Sequence, residues 1–222
     1  MGDPARKAAL YDAFARTGKA LSSGKRLELL DLLAQGERTV DALAKAAGLN
    51  LTTASAHLQT LKQAGLVATR RDGVRIHYRL AGDDVAALYA LLRQVAHIHQ
   101  AGVEPARTAY LGADEAEEVD REALRTRAEA GEVVVLDVRP AEEYAAGHIP
   151  GALSIPVEEL AERITELPQD TEVVAYCRGA YCVLAYDAVR LLQERGRRAV
   201  RLTDGMLEWR LADFPVAADA AA

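Results

Sequence analysis

The chain has 222 residues, half of them apolar, two cysteines and a net charge of −6. Its length suits two modest domains, each with its own core. No stretch is apolar for long enough to span a bilayer, and residues 1–20 lack the apolar segment and cleavage site of a signal peptide. The expected location is therefore the cytoplasm, where thiols are kept reduced and two cysteines make a poor structural staple. The charge is uneven. Residues 1–105 hold 14 Lys+Arg against 10 Asp+Glu, and residues 106–222 hold 13 against 23. Only the first half suits a polyanion.

In chain order, "SSGKRLELLDLLAQG" places Leu27, Leu30 and Leu33, with Leu29, at helical spacing before Gly36. "TVDALAKAAG" follows, with Thr39 as N-cap and Gly48 as stop. "NLTTASAHLQTLKQAG" is expected to start at Asn50 and to bury Ala54, Leu58 and Leu61. Its other side presents Thr52, Thr53, Ser55, Ala56, Gln59 and Thr60, with Lys62 near the end and no acid. Such a surface can approach phosphates, and its hydroxyls and amide can reach base edges. "LVATRRDGVRIHYRL" reads as a hairpin around Asp72-Gly73. Val74, Ile76, Tyr78 and Leu80 are expected on one face. Arg75, His77 and Arg79 are expected on the other, with Arg70 and Arg71 beside the turn. Three helices and a basic hairpin form a winged helix-turn-helix, with the helix in the major groove of double-stranded DNA and the wing on the backbone. The plainer reading is a small helical domain with a solvated hairpin.

The segment "TVDALAKAAGLNLTTASAHLQTLKQAGLV" resembles the ArsR-type winged-helix repressors, through Ser55, His57-Leu58 and Ala64-Gly65-Leu66-Val67. The resemblance covers roughly residues 5–100. It implies a homodimer formed by the first and last helices, around residues 8–19 and 83–99, the latter with an apolar stripe of Val85, Leu88, Leu92 and Val95. It also implies an imperfect palindrome as the DNA target. Many members sense metals. Here the helix before the recognition helix has no cysteine. Asp84 and His97 match two places of another metal site, but Ala86 and Gln100 occupy the rest. His97 and His99, two apart on a helix, point in different directions. No metal and no cofactor is expected, and His57 is read as a packing residue.

Gly, Pro and then acidic residues interrupt the pattern over 101–117, which is expected to be a linker. Beyond it, "GEVVVLDVRP" and "TEVVAYC" read as buried strands, "YCVLAYDAVRLLQERG" as an amphipathic helix and "RRAVRLTDG" as a third strand. Alternating strands and helices predict an α/β layer with a parallel sheet, whose ligand sites lie at strand C-termini. Cys177 stands at such an end. Arg178, Gly179, Ala180 and Tyr181 separate it from Cys182 and the next helix. A tight loop of inward amides at a helix N-terminus, with Arg178 adjacent, is expected to hold Cys177 as a thiolate. Gly179 is expected to supply backbone freedom. A cysteine phosphatase needs an Arg six residues after the Cys, and Val183 is there. A thioredoxin-type pair needs two intervening residues, and there are four. Sulfur transfer fits the loop best.

"LDVRPAEEYAAGHIPGALSIP", Cys177 and "DGMLEWRLADFPV" together resemble the rhodanese homology domain over about residues 115–216. The resemblance implies that Cys177 is a nucleophile accepting sulfane sulfur from thiosulfate, polysulfide or a low-molecular-weight persulfide. Asp137, Arg139 and His148 fall in the signature and are read as scaffold and loop support. Ala180 and Cys182 stand where active sulfurtransferases often have Gly and a basic residue, so a second sulfur replaces a substrate-binding cation. Cys182 is either a small buried helix residue or a resolving thiol able to form a disulfide or sulfur-bridged link with Cys177.

The expected architecture is a mainly α winged helix-turn-helix over 1–100, a linker over 101–117, an α/β rhodanese-like domain over 118–216 and a disordered tail over 217–222. The expected function is a transcriptional regulator that senses reactive sulfur through Cys177. The alternative is a sulfurtransferase with an accessory DNA-binding domain.

Overall fold

A computed structural model of the chain describes residues 3–112 and 116–219. They divide into two compact units, 1–89 and 90–222, at a boundary inside a helix rather than at residue 100.

The first unit contains α1 (Pro4–Leu21), α2 (Gly24–Gln35), β1 (Arg38–Thr39), α3 (Val40–Ala46), α4 (Leu51–Gln63), β2 (Val67–Asp72) and β3 (Arg75–Leu80). It also contains the first turns of α5 (Asp83–His99). The caps act as their residue types dictate. The Thr39 side chain accepts from the Ala42 N–H, and that of Asn50 from the Thr53 N–H. Leu29, Leu30, Leu43, Ala54, Leu58 and Leu61 are completely buried. Leu27, expected in this stripe, is only half-buried, and Leu32 takes its place. The antiparallel sheet has the order β1-β3-β2, and Asp72 pairs with Arg75 across the loop Gly73-Val74. Gly73, at φ +57°, supplies the left-handed loop residue. The expected common face of the hairpin holds only near its base. Tyr78 is buried and Leu80 half-buried, while Ile76 is 46% and Val74 93% exposed. Val74 and Ile76 instead line an open cleft with Val40 of α3 and Leu51 of α4, which leaves them in solvent.

On α5, Val85 is buried and Leu92 half-buried. The exposed apolar side chains are Leu88, Leu91, Val95 and Ile98, spaced three, four and three residues apart along one side. This corrects the expected stripe by one helical step.

The second unit begins with the last turns of α5 and α6 (Val103–Leu111). The segment expected to be a linker thus carries a helix, and its residues 113–115 lie outside the described residues. There follow β4 (Glu118–Val119), α7 (Arg121–Glu129), β5 (Val133–Asp137), α8 (Ala141–Ala146), β6 (Leu153–Ser154), α9 (Val157–Arg163), β7 (Glu172–Tyr176), α10 (Val183–Glu194), β8 (Ala199–Leu202) and α11 (Met206–Leu211). The sheet has the order β4-β8-β7-β5-β6, and every pair is parallel. Both of its faces are covered, which explains the unbroken apolar runs. Val173, Ala175 and Cys177 pack with Leu160 of α9 and Val189 and Leu192 of α10. Val174 and Tyr176 pack with Leu124 of α7 and Trp209 of α11. The expected tail is tied down over 217–219. Ala217 exchanges backbone hydrogen bonds with His148, and the Asp219 N–H donates to the Ala145 carbonyl. Residues 220–222 lie outside the described residues. Among the described residues no helix is long and apolar enough to cross a membrane.

Candidate functional site

Two sets of side chains stand out, one in each unit. In the first, Thr52, Ala56, Gln59 and Lys62 of α4 are exposed, and Thr53, Ser55 and Thr60 are half-buried. Ser55 opens onto a cleft of about 620 Å³ lined also by Leu51, Val74, Arg75 and Ile76. Several of the expected DNA contacts are already engaged. The Gln59 amide donates to the Tyr78 hydroxyl at 3.0 Å, Thr60 Oγ1 donates to the Ala56 carbonyl, and the Lys62 ammonium donates to Thr69 Oγ1. The Arg70 guanidinium pairs with Glu37 at 2.8 Å, and His77 Nδ1 lies 3.5 Å from the same carboxylate. Arg71 donates to the Gly73 carbonyl. Arg75 is exposed and faces the cleft. The basic hairpin is therefore partly neutralised by an acid that precedes β1.

In the second unit, Cys177 follows the last residue of β7 and Cys182 is the N-cap of α10. The two form a disulfide, with Cα atoms 6.2 Å apart, inside the usual span for such a bond. Neither cysteine is free. The expectation of a reachable Cys177 thiolate does not hold for this form. Cys177 continues the β7 alternation, so its side chain falls into the apolar cluster under α9 and α10 and is 1% exposed. Cys182 is partly exposed. The loop closes on itself through the Cys182 N–H donating to the Gly179 carbonyl. Among the described residues, the N–H groups of Gly179, Ala180 and Tyr181 have no backbone acceptor.

Arg178, expected beside the sulfur, is held by a carboxylate. Its guanidinium forks onto Glu143 of α8, with contacts of 2.7 to 3.0 Å, and that carboxylate is 1% exposed. A buried carboxylate holds a guanidinium more tightly than a solvated loop would. Gly179 is also needed for a different reason. Its φ is not in the left-handed region. Instead a Cβ there would sit 3.1 Å from Glu208 Oε2, and a Cβ on Gly205 would overlap the backbone of Gly179 itself. The loop lies directly on the start of α11. The Met206 and Leu207 N–H groups donate to the Cys177 and Arg178 carbonyls, at 2.9 and 3.1 Å.

Below the loop, Asp137 and Arg139 are completely buried and paired. Arg139 also donates to the Gly147 carbonyl, and Tyr176 Oη donates to Asp137 Oδ2 at 2.6 Å. Burial opposes the Arg139 charge, yet the hydrogen bond and charge of Asp137 hold its pKa above the ordinary value. Burial pushes the Tyr176 hydroxyl well above its ordinary pKa, and the Asp137 charge adds to this. His148 stacks on Tyr144 with ring centroids 3.7 Å apart, and its Nδ1 lies 2.9 Å from the Tyr144 carbonyl.

The end of α5 lies against the same loop, within the second unit. The Arg93 guanidinium pairs with Glu208 and sits 5.0 Å from the centroid of the Tyr181 ring. The His97 ring lies 6.2 Å from that ring. Glu208 in turn accepts from the Gly205 N–H.

Residues 23–69 match the model of the bacterial regulatory protein arsR family, and residues 120–212 match the rhodanese-like domain. Over 215 residues the chain is 60% identical to the HTH-type transcriptional regulator Rv0324 of Mycobacterium tuberculosis, covering 97% of this chain and 95% of that one. The chain is an ArsR-family regulator with a rhodanese-like domain. Its second half is also similar to a sulfurtransferase of Allochromatium vinosum, 35% identical over 103 residues, or 46% of this chain and 94% of that protein. A solved structure of the homodimeric winged helix-turn-helix domain of a Mycobacterium bovis protein is 60% identical, with a TM-score of 0.43, over 46% of this chain and 94% of that one.

In this ArsR-family regulator four side chains escaped the sequence reading: Glu37, Glu143, Glu208 and Arg93. Each is charged and engages a partner far along the chain, so no local spacing marks it. One signal was present for Glu208. It lies three residues after Gly205 in "DGMLEW", the spacing at which an acid reaches back to a helix start. Among the described residues no three His, Cys, Asp or Glu side chains converge as a metal site.

Proposed function

We propose that this regulator senses sulfane sulfur or a related reactive sulfur species through the Cys177–Cys182 loop and adjusts DNA binding in response. The observation that carries the reading is the seat of α5 on the loop. Arg93 and His97 rest on Tyr181, which lies between the two cysteines. Leu88, Leu91, Val95 and Ile98 occupy another side of the same helix, exposed and apolar. We assign that stripe, with Leu10, Tyr11 and Phe14 of α1, which are also exposed, to a homodimer interface. A change of covalent state in the loop then reaches the helix that sets the dimer. A coupling of about 1–3 kcal/mol is enough to alter operator occupancy.

The loop supports reversible sulfur chemistry. Reduction frees two thiols in the loop, and an added sulfur lengthens the bridge between residues 177 and 182. DNA contacts are assigned to Thr52, Thr53, Ser55, Ala56 and Lys62 of α4 and to Arg71 and Arg75 of the wing. Gln59, Thr60, Arg70 and His77 join them, and these four, like Lys62 and Arg71, first exchange their present partners. The site of action is the cytoplasm, on an imperfect palindrome in double-stranded DNA.

The test is operator affinity of the oxidised, reduced and polysulfide-treated protein, in wild type and Cys177→Ser. The expected result is a difference of about 5- to 150-fold between states of the wild type, and none in the variant. Equal affinity throughout removes the sensing role. Turnover of thiosulfate without any effect on DNA affinity favours a sulfurtransferase, the reading supported by the similarity of the second half to one.

A further inference from the structure

We infer that Cys182 Sγ, and not Cys177 Sγ, is the atom at which an external sulfur nucleophile opens the bridge. The substrate class is a small anionic sulfur species, a thiolate or a hydropersulfide. The inference rests on the sensing reading for its biological meaning, and on the geometry of the disulfide for its chemistry.

A nucleophile attacks a disulfide along the S–S axis, from the side opposite the departing sulfur. For Cys177 that approach is closed. The residue is 1% exposed and packed against Val138, Ala185 and the rest of the α9–α10 cluster. Cys182 is partly exposed, at the start of a twelve-residue helix. The positive end of that helix attracts an anion to this sulfur. One effect acts in the other direction. The same helix end stabilises a Cys182 thiolate, which makes Cys182 the better leaving group and favours attack on Cys177. Leaving-group preference changes the rate only in proportion to the pKa difference between the two thiols. A sealed sulfur must wait for the loop to open, so access decides the order.

With a hydropersulfide, RSS⁻, the step balances without an external oxidant. The terminal sulfur attacks Cys182 Sγ, the protein S–S bond breaks, and its electron pair leaves on Cys177 as a thiolate. The Cys177 thiolate then attacks the sulfur that has just bonded to Cys182. The R–S to sulfur bond breaks and RS⁻ departs. The bridge has become a trisulfide, longer by one sulfur, and the donor has become a thiolate. With a plain thiolate the first step alone occurs, leaving a mixed disulfide on Cys182 and a thiolate on Cys177.

The test uses full-length oxidised protein. Trypsin cuts after Arg178, so the cysteines fall in separate peptides, 164–178 and 179–190. The protein is mixed briefly with glutathione, quenched with acidic N-ethylmaleimide and digested. The expected result is glutathione on 179–190 and maleimide on 164–178. Glutathione on 164–178 overturns the inference. Because the bridge can reclose before the quench, iodoacetamide rates are also measured on the single-cysteine variants. Cys182 in Cys177→Ser is expected to react faster than Cys177 in Cys182→Ser, by a factor on the order of ten or more. Equal or reversed rates overturn the inference whatever the peptides show. Glutathione persulfide is the separate arm for the sensing reading. A bridged peptide pair heavier by one sulfur atom supports it. No gain of sulfur, with glutathione still found on Cys182, sinks the sensing reading and leaves the entry point standing.

Discussion

Thr52, Ala56 and Lys62 of α4 stand in solvent, where a passing duplex can reach them. Cys177, Asp137 and Arg139 of the second unit are sealed under helices, and each is covalently or ionically engaged. The contrast separates two ways of building a responsive protein. A surface that reads DNA needs side chains held only loosely, because the partner supplies the missing contacts. The loop proposed here to handle one sulfur atom has no large partner, so the protein must supply the positioning, through Glu143 on Arg178, Asp137 on Arg139 and Glu208 on Gly205 and Arg93. Substitutions should therefore cost stability in the second unit and affinity in the first.

The largest effect is expected for Asp137→Ala, which leaves the Arg139 charge buried without its carboxylate. The expected loss is about 3–5 kcal/mol, read by urea denaturation of the full chain. A loss under 1 kcal/mol would break the contrast. Gly205→Ala comes next, because its Cβ overlaps the Gly179 backbone. The expected cost is about 1–3 kcal/mol, together with faster reduction of the disulfide as the loop lifts from α11. An unchanged reduction rate would show that the loop does not depend on this contact. Asn50→Ala removes only the cap of α4 and is expected to cost about 1 kcal/mol, with a matching fall in operator affinity measured by fluorescence anisotropy. Arg93→Ala sharpens the comparison, since it removes a contact between α5 and the loop with little exposed surface at stake. Some stability is lost because the largely buried Glu208 keeps its charge without the guanidinium, and the ratio of operator affinities between oxidised and reduced protein is expected to fall towards one. A ratio equal to that of the wild type would place the coupling elsewhere.

The sequence was most informative where a side chain's role follows from its neighbours in the chain. Asn50, Ala54, Leu58 and Leu61 lie within one helix, so period and capping chemistry alone set their places, and the structure keeps them. The strands ending at Asp137 and before Cys177 were legible for the same reason, as runs too apolar for any half-exposed sheet. Legibility fell at Val74 and Ile76, where alternation continued into an open cleft beside α3 and α4 that leaves them exposed. It fell again along α5, where Leu92 and Leu91 differ by a single helical step and only the packing decides which is covered.

By itself, the sequence determined the two kinds of unit, the order of their elements, the acid-free face of α4 and the placing of both sulfurs at one strand-to-helix loop. These depend on periodicity, turn chemistry and spacing, which act over a few residues. Only the tertiary structure decided which sulfur is reachable, where Arg178 points, why Gly179 carries no side chain and which helix rests on Tyr181. Those outcomes depend on groups 35 or 115 residues apart in the chain, such as Glu143 with Arg178 and Arg93 with Glu208. Burial and charge pairing act through space, and they bring such partners together only when the sheet and its helices have closed.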